Sequence, residues 1–365
     1  MVCRPTRGDA PPRLGPTVQQ LPALGGSTVS AEVYRDPARF ELEREHVLRA
    51  SWMIAARSSE IPNPNDWVLY EGHGETVIVS RQADGSVAAF HNVCQHRGST
   101  LTGAATSGCD PRFSCPWHGW TYDTRGLVVG VPEREDFDPE HLDGLRSPAV
   151  AADEWGGWGW INLAGPDQAP ALSEWLGADI VSDLARFQMD DMVLLDKLVY
   201  DVPVNYKAIV DGFNEVYHVT ALHHVPATFT KAARDTTFHL TGPDSMMFLP
   251  RPDRREQLQA TGDHHRNGIC HYVIFPNSVI NNNPDQIQLF HPIPRGRPHS
   301  LHLLGTHLRA EQCRRSRLRP VRQQGSAALV AIANSCRRRP LCVRSAIKFT
   351  TEHGIPAKYL LQSRM

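Results

Sequence analysis

Two short segments bring thiols and imidazoles together: Cys94-Gln95-His96 and Cys115-Pro116-Trp117-His118. Thiolate sulfur and neutral imidazole nitrogen are donors that transition metals take readily, and a Cys followed closely by a His supplies both from one loop. Two such pairs suit a single tetrahedral zinc ion. They also suit a two-iron, two-sulfide cluster in which the thiolates hold one iron and the imidazoles the other. That ligand set raises the reduction potential above that of an all-cysteine cluster, so the site passes single electrons at a moderate potential. The loops favour the cluster: Gly98 and Gly119 let the backbone come close to the sulfides, where amide N–H groups stabilise the reduced state. Cys109, the one spare thiol between the pairs, reads as an inert loop residue.

The second pair continues as Gly119-Trp120-Thr121-Tyr122, and the first is followed by Arg97-Gly98. With these residues the chain resembles the catalytic α subunits of the Rieske non-haem iron oxygenases, the aromatic-ring-hydroxylating family, from about residue 34 to about residue 308. Respiratory Rieske proteins fit worse, because Ser99 and Trp117 stand where those carry an additional disulfide cysteine. Eighteen residues separate His96 from Cys115, a spacing longer than the family's, which an enlarged loop around Gly108-Cys109-Asp110 would absorb.

The resemblance extends to a second metal segment, Asn205 through Glu215-Val216-Tyr217-His218 to His223. It implies a mononuclear iron held by His218 and His223. Positions five apart on a continuous helix point about 140° away from one another, so the helix must end or bend near His218 for the two rings to converge. Two His and one carboxylate form the facial triad of non-haem Fe(II) oxygenases, with open positions for dioxygen. Glu215 lies one helical turn before His218 on the same face. By resemblance it is the bridging carboxylate, linking His218 to His118 of a neighbouring subunit, which implies a ring-shaped homotrimer or α3β3 assembly. Asp211, a turn earlier, suits structural support or a proton role equally. His224 reads as a core histidine, and His264-His265 as part of a solvated loop.

Length suggests two domains of ordinary size. We expect an α+β chain: a disordered arm over 1–30, a Rieske domain with a leading helix over 31–165, and a catalytic domain over 166–308. The β-type runs at Trp67-Val68-Leu69-Tyr70, Thr76-Val77-Ile78-Val79-Ser80 and Val87-Ala88-Ala89-Phe90 mark an antiparallel cluster domain, with Asp84-Gly85 as a hairpin turn. Trp158-Gly159-Trp160-Ile161-Asn162-Leu163 would close it, and Gly165-Pro166-Asp167 would link it onward. The resemblance implies a helix-grip architecture for the second domain, an antiparallel sheet with helices. No apolar run reaches transmembrane length and the N-terminal residues lack a signal-peptide core, so a cytoplasmic enzyme is expected.

Near-neutral net charge conceals an asymmetry. From Arg309 onward there are 13 Lys and Arg against two Asp and Glu, whereas the first 308 residues carry 25 basic and 37 acidic side chains. The family's third iron ligand is an Asp in a late helix, and no Asp follows Asp285; Glu311 and Glu352 are the only later carboxylates. Clusters such as Arg314-Arg315-Ser316-Arg317 show no helical period. We read 309–365 as an atypical basic tail translated out of frame. A nucleic-acid or lipid-binding tail is the rival, disfavoured because aromatics are not interleaved with the basic residues.

The resemblance implies an oxygenase that inserts oxygen from dioxygen into an organic, aromatic substrate, by mono- or dihydroxylation or oxidative demethylation. Electrons would come from NAD(P)H through a flavin-dependent reductase, with or without a ferredoxin, because the chain carries no dinucleotide fingerprint. The alternative is an electron-transfer protein that lacks the third iron ligand. A zinc-stabilised binding module is a third class.

Overall fold

The computed structural model describes residues 29–216, 218, 236–283, 286–297 and 300–310; His223, His224, most of the expected arm and the tail beyond residue 310 lie outside the described residues. The chain divides into two compact units, one of Glu43–Leu176 and one that joins Gly177 onward with the residues before Glu43. The crossing falls inside helix α4, labelled in chain order after α1 (Glu32–Arg35), α2 (Pro37–Glu43) and α3 (Pro139–Leu142). Within α4 (Leu172–Ala185), Gly177 adopts φ 72° and ψ 154°, a conformation open essentially to glycine. The boundary is thus later than the Gly165-Pro166-Asp167 turn. The Trp52 indole N–H donates to the Pro170 carbonyl at 2.9 Å and holds that segment on the first unit.

The first unit is built on antiparallel strands β1 (Met53–Arg57), β2 (Asp66–Gly72), β3 (Glu75–Arg81), β4 (Val87–His91), β5 (Ser107–Cys109), β6 (Arg112–Ser114), β7 (Thr121–Asp123), β8 (Val128–Gly130), β9 (Ala149–Trp155) and β10 (Trp158–Asn162). Seven form one sheet in the order β1-β10-β9-β4-β3-β2-β5, and β6-β7-β8 form a second. Val77, Ile78 and Val79 are all fully buried, so β3 is covered on both faces. The turn between β3 and β4 uses Gly85 at φ 84°, in agreement with the Asp84-Gly85 signal. Around Gly108-Cys109-Asp110 the additional residues form edge strand β5 instead of a loop. It pairs with β2, and the Trp67 indole N–H donates to Asp110 Oδ2 at 2.8 Å.

In the second unit β11 (Met192–Val202), β12 (Thr237–Thr241), β13 (Asp244–Pro250), β14 (Gly268–Ile274), β15 (Ser278–Asn283), β16 (Gln286–Arg297) and β17 (Ser300–Ala310) make one antiparallel sheet in the order β11-β17-β16-β15-β14-β13-β12. Helix α5 (Tyr206–Phe213) packs on it through Tyr206, Ile209 and Val210, an i, i+3, i+4 stripe. Its start is capped by Asn205, whose side chain accepts from Lys207 N at 3.0 Å. Its end comes at Asn214, earlier than the expected break near His218. The Ser245 hydroxyl on β13 donates to Asn214 Oδ1 at 2.9 Å, tying that end to the sheet.

The residues before Glu43 group with this unit, and those from Glu43 onward with the cluster unit, so the expected leading helix is divided between them. Asn205 Nδ2 donates to the Tyr34 carbonyl at 3.1 Å, and the Tyr34 hydroxyl donates to Asp211 Oδ2 at 2.5 Å. Lys207 Nζ lies 4.9 Å from the Tyr206 ring centroid. His265 is also not in a solvated loop. It sits in the short helix His264–Asn267 with Nε2 2.8 Å from Asp183 Oδ1, while the Tyr272 hydroxyl donates to Asp183 Oδ2 at 2.5 Å. Burial pushes the Asp183 carboxyl up, but these two partners outweigh it and hold it below its ordinary value. Among the described residues no helix is long and apolar enough to cross a membrane.

Asp211 behaves in the opposite sense. Burial pushes it up to about 6, against the opposing pull of the Tyr34 hydroxyl and Lys207. A carboxyl raised on folding contributes stability that is complete below its unfolded pKa and is lost as pH rises through the folded value. Between pH 4 and 7 the native chain should therefore lose about 2 kcal/mol relative to Asp211→Asn. Thermal or denaturant melts of both proteins across that range check this; parallel pH profiles would contradict it.

Candidate metal centres

Both cluster loops use the same backbone device. In the first, Cys94 N–H donates to the Ser99 carbonyl and Gly98 N–H to the Cys94 carbonyl, each at 2.8 Å. In the second, Cys115 N–H donates to the Trp120 carbonyl at 2.8 Å and Gly119 N–H to the Cys115 carbonyl at 3.0 Å. Each turn closes through a glycine four residues after its cysteine, and both glycines have φ 74°. An L side chain there costs about 1–2 kcal/mol, which explains glycine at both positions.

The cysteines sit inside the apolar core with Trp67, Ile78, Phe90, Phe113 and Tyr122. The imidazoles sit at its rim and are braced by indoles: His96 stacks on Trp120 at 5.2 Å between centroids, and His118 on Trp117 at 5.1 Å. His96 and His118 lie 4.6 Å apart, and the two thiols are hydrogen-bonding neighbours. Like ligand therefore stands beside like, as a cluster with thiolates on one iron and imidazoles on the other requires. His96 Nδ1 is sealed from solvent without a hydrogen-bond partner among the described residues, which fits an atom kept for a metal. Burial, and then the neighbouring His118 and Arg97, hold His96 below its ordinary pKa, in the neutral form that ligates. Burial pushes the Cys115 thiol up, but the backbone N–H groups of Trp117 and His118, together with the Cys94 and Ser99 side chains, outweigh it and bring the thiol below its ordinary value. The residues present thus fit a [2Fe-2S] cluster. Trp117 is 60% exposed and its neighbour His118 is also exposed, so this end of the cluster loops meets the surface.

Tyr122, to which the sequence pattern assigns no role, touches a ligand directly. Its hydroxyl donates to Cys94 Sγ at 3.3 Å and accepts from Gln95 N–H at 2.8 Å. The signal that could have found it is period-two alternation: Phe113 and Tyr122 are cross-strand partners, and both point into the core.

In the second unit the chain leaves α5 at Asn214 and reaches Glu215 and His218. The Glu215 carboxylate pairs with His218 Nδ1 and also accepts the His218 backbone N–H at 3.1 Å. A carboxylate on one ring nitrogen fixes the tautomer and offers the other nitrogen, Nε2, as the ligand atom. These residues fit a mononuclear iron. His223, the second expected ligand, lies outside the described residues.

Replacing Tyr122 by Phe removes a hydrogen bond to a cluster thiolate, an interaction that favours the reduced state. The reduction potential should fall by tens of millivolts with the visible spectrum retained, as protein-film voltammetry would show. An unchanged potential would contradict the hydrogen bond's role.

Comparison with known proteins agrees with both halves. Residues 51–146 match the family model of the Rieske [2Fe-2S] domain, and residues 189–335 match that of the ring hydroxylating alpha subunit catalytic domain. The latter match runs past Arg309, further than the sequence resemblance reaches. The carnitine monooxygenase oxygenase subunit of Escherichia coli (strain K12) is 32% identical over 54% of this chain and 52% of its own length. The anthranilate 1,2-dioxygenase large subunit of Acinetobacter baylyi is 33% identical over 56% of this chain and 44% of its own. The chain thus spans about half the length of these relatives. A quaternary ammonium Rieske monooxygenase solved with L-carnitine shares the fold, with a TM-score of 0.66 at 20% identity over 91% of this chain and 95% of that one. Such a monooxygenase has also been solved with γ-butyrobetaine, and another structure bears on its inter-subunit electron transfer. With a Rieske domain followed by the ring-hydroxylating catalytic domain, the chain belongs to the family of Rieske non-haem iron oxygenase α subunits.

Proposed function

We propose that this chain is the oxygenase component of a multicomponent system that oxidises a small, polar organic substrate with dioxygen and two externally supplied electrons. A quaternary ammonium compound is the first candidate and an aromatic acid the second. This moves the aromatic expectation into second place, because the relatives include a carnitine as well as an anthranilate enzyme. The observation that carries the reading is the Glu215–His218 pair beyond α5, in a chain that also holds four cluster ligands. A pure electron carrier has no use for the second site.

When bound, the cluster supplies single electrons and the mononuclear iron supplies the place where dioxygen is reduced. Cys94, His96, Cys115 and His118 hold the former, and His218 and His223 the latter. Glu215 keeps the proton on His218 Nδ1 and orients the ring. Exposed His118 suits delivery of electrons to Glu215 of a neighbouring subunit, which supports a trimer or α3β3 assembly. The partner would be a flavin-dependent NAD(P)H reductase, directly or through a ferredoxin, since the relatives are named as oxygenase subunits. The rival, an electron-transfer protein with an incomplete iron site, is favoured by the lack of Asp after Asp285. Against it stands the catalytic-domain match through residue 335.

The test is oxygen uptake by the iron-loaded protein with a reductase and NADH, with products followed by mass spectrometry. A quaternary ammonium compound should stimulate uptake and yield an oxidised product. Glu215→Gln should reduce turnover about 10–100-fold with the cluster spectrum intact. Substrate-independent uptake with no oxidised product would sink the proposal.

A further inference from the structure

The register of the C-terminal sheet places a line of polar side chains side by side across five strands. His271 on β14 is opposite Asn281 on β15, Asn281 is opposite Gln288 on β16, Gln288 is opposite His307 on β17, and His307 is opposite Asp196 on β11. Directly opposed residues share a face. The same face receives α5: Phe213 stacks on Phe290, two residues from Gln288, at 4.7 Å. At the other end Asn214 bonds Ser245, two residues from the Met247 that faces His271. The row therefore lies on the side of the sheet where α5 ends and the Glu215–His218 segment begins.

Hydrogen bonding within the row is incomplete. His307 Nδ1 is 2.6 Å from Asp196 Oδ1, and Asn281 Nδ2 donates to Gln288 Oε1 at 3.2 Å. At the His271 end two atoms remain unmatched: His271 Nδ1 and Asn281 Oδ1 are sealed from solvent and have no hydrogen-bond partner among the described residues. These atoms belong to directly opposed residues. His271 is also close enough to His218 for their charges to interact, and burial, then His218, hold it down to about 4, so it is neutral. Buried polar atoms left unpaired are costly, and two on neighbouring strands beside a candidate metal ligand mark a place for a ligand's polar group.

We propose that His271 and Asn281 are specificity-determining residues of the catalytic domain and together take one hydroxyl or amino group of the substrate. That group donates to Asn281 Oδ1 and meets the His271 ring nitrogen, while Gln288 holds the Asn281 amide in place. This inference rests on the oxygenase reading above and adds to it which substituent the substrate carries. A site built to bond such a group rejects the analogue that lacks it far more strongly than an apolar pocket rejects a missing methylene.

The test is anaerobic calorimetry on the iron-loaded full chain, which reads binding without turnover. Two matched pairs serve as probes: L-carnitine against γ-butyrobetaine, which differ by one hydroxyl, and anthranilate against benzoate, which differ by one amino group. In whichever class binds, the member carrying the group should bind about tenfold or more tightly. Asn281→Leu and His271→Phe should shrink that preference to about twofold or less while leaving affinity for the simpler member unchanged. Equal binding of both members to the native protein overturns the inference and leaves the oxygenase reading intact, whether or not the variants fold. Binding of no probe overturns the proposed substrate classes and the inference with them.

Discussion

A metal site needs several donor atoms held inside the protein and aimed at one point, and the packing around both candidate sites answers that constraint. Buried polar atoms with unfilled bonding capacity destabilise the fold unless surrounding packing fixes them. In the cluster unit the solution is two matching glycine-closed turns that set Cys94 and Cys115 into an apolar core and lean His96 and His118 against indoles. In the catalytic unit the solution is a short helix anchored at both ends. Asn205 and Asp211 tie it to Tyr34, and Asn214 ties it to Ser245. Glu215 and His218 follow directly from the end of that anchored helix.

The candidate cluster ligands are legible in the sequence because they are local. A Cys, a His two or three residues later and a glycine at the fourth position describe a turn completely enough to imply its chemistry. The Glu215–His218 pair is legible for the same reason, since three residues suffice for the carboxylate to reach both the ring and the backbone N–H. Sequence alone sets the end of α5 too late because Gly212 and Asn214 weaken the helix only slightly by themselves. At the observed end Asn214 is bonded by Ser245, more than thirty residues away, a contact invisible in the local sequence.

The features that the sequence hides depend on register and long-range pairing. His264-His265 looks solvated among charged neighbours, yet Asp183 on α4 and Tyr272 on β14 give His265 an interior place. Tyr34 precedes the cluster unit in sequence but groups with the catalytic unit, where it meets Asn205 through its carbonyl and Asp211 through its hydroxyl. His271 and Asn281 carry no spacing signal at all; only the pairing of β14 with β15 brings them together.

The central claim is that one chain holds two different iron centres. Iron and acid-labile sulfide per chain, measured on anaerobically purified protein beside its visible spectrum before and after dithionite, test it most directly. The account predicts about three irons and about two sulfides. About two of each would mean a cluster without a mononuclear site, and would contradict the claim.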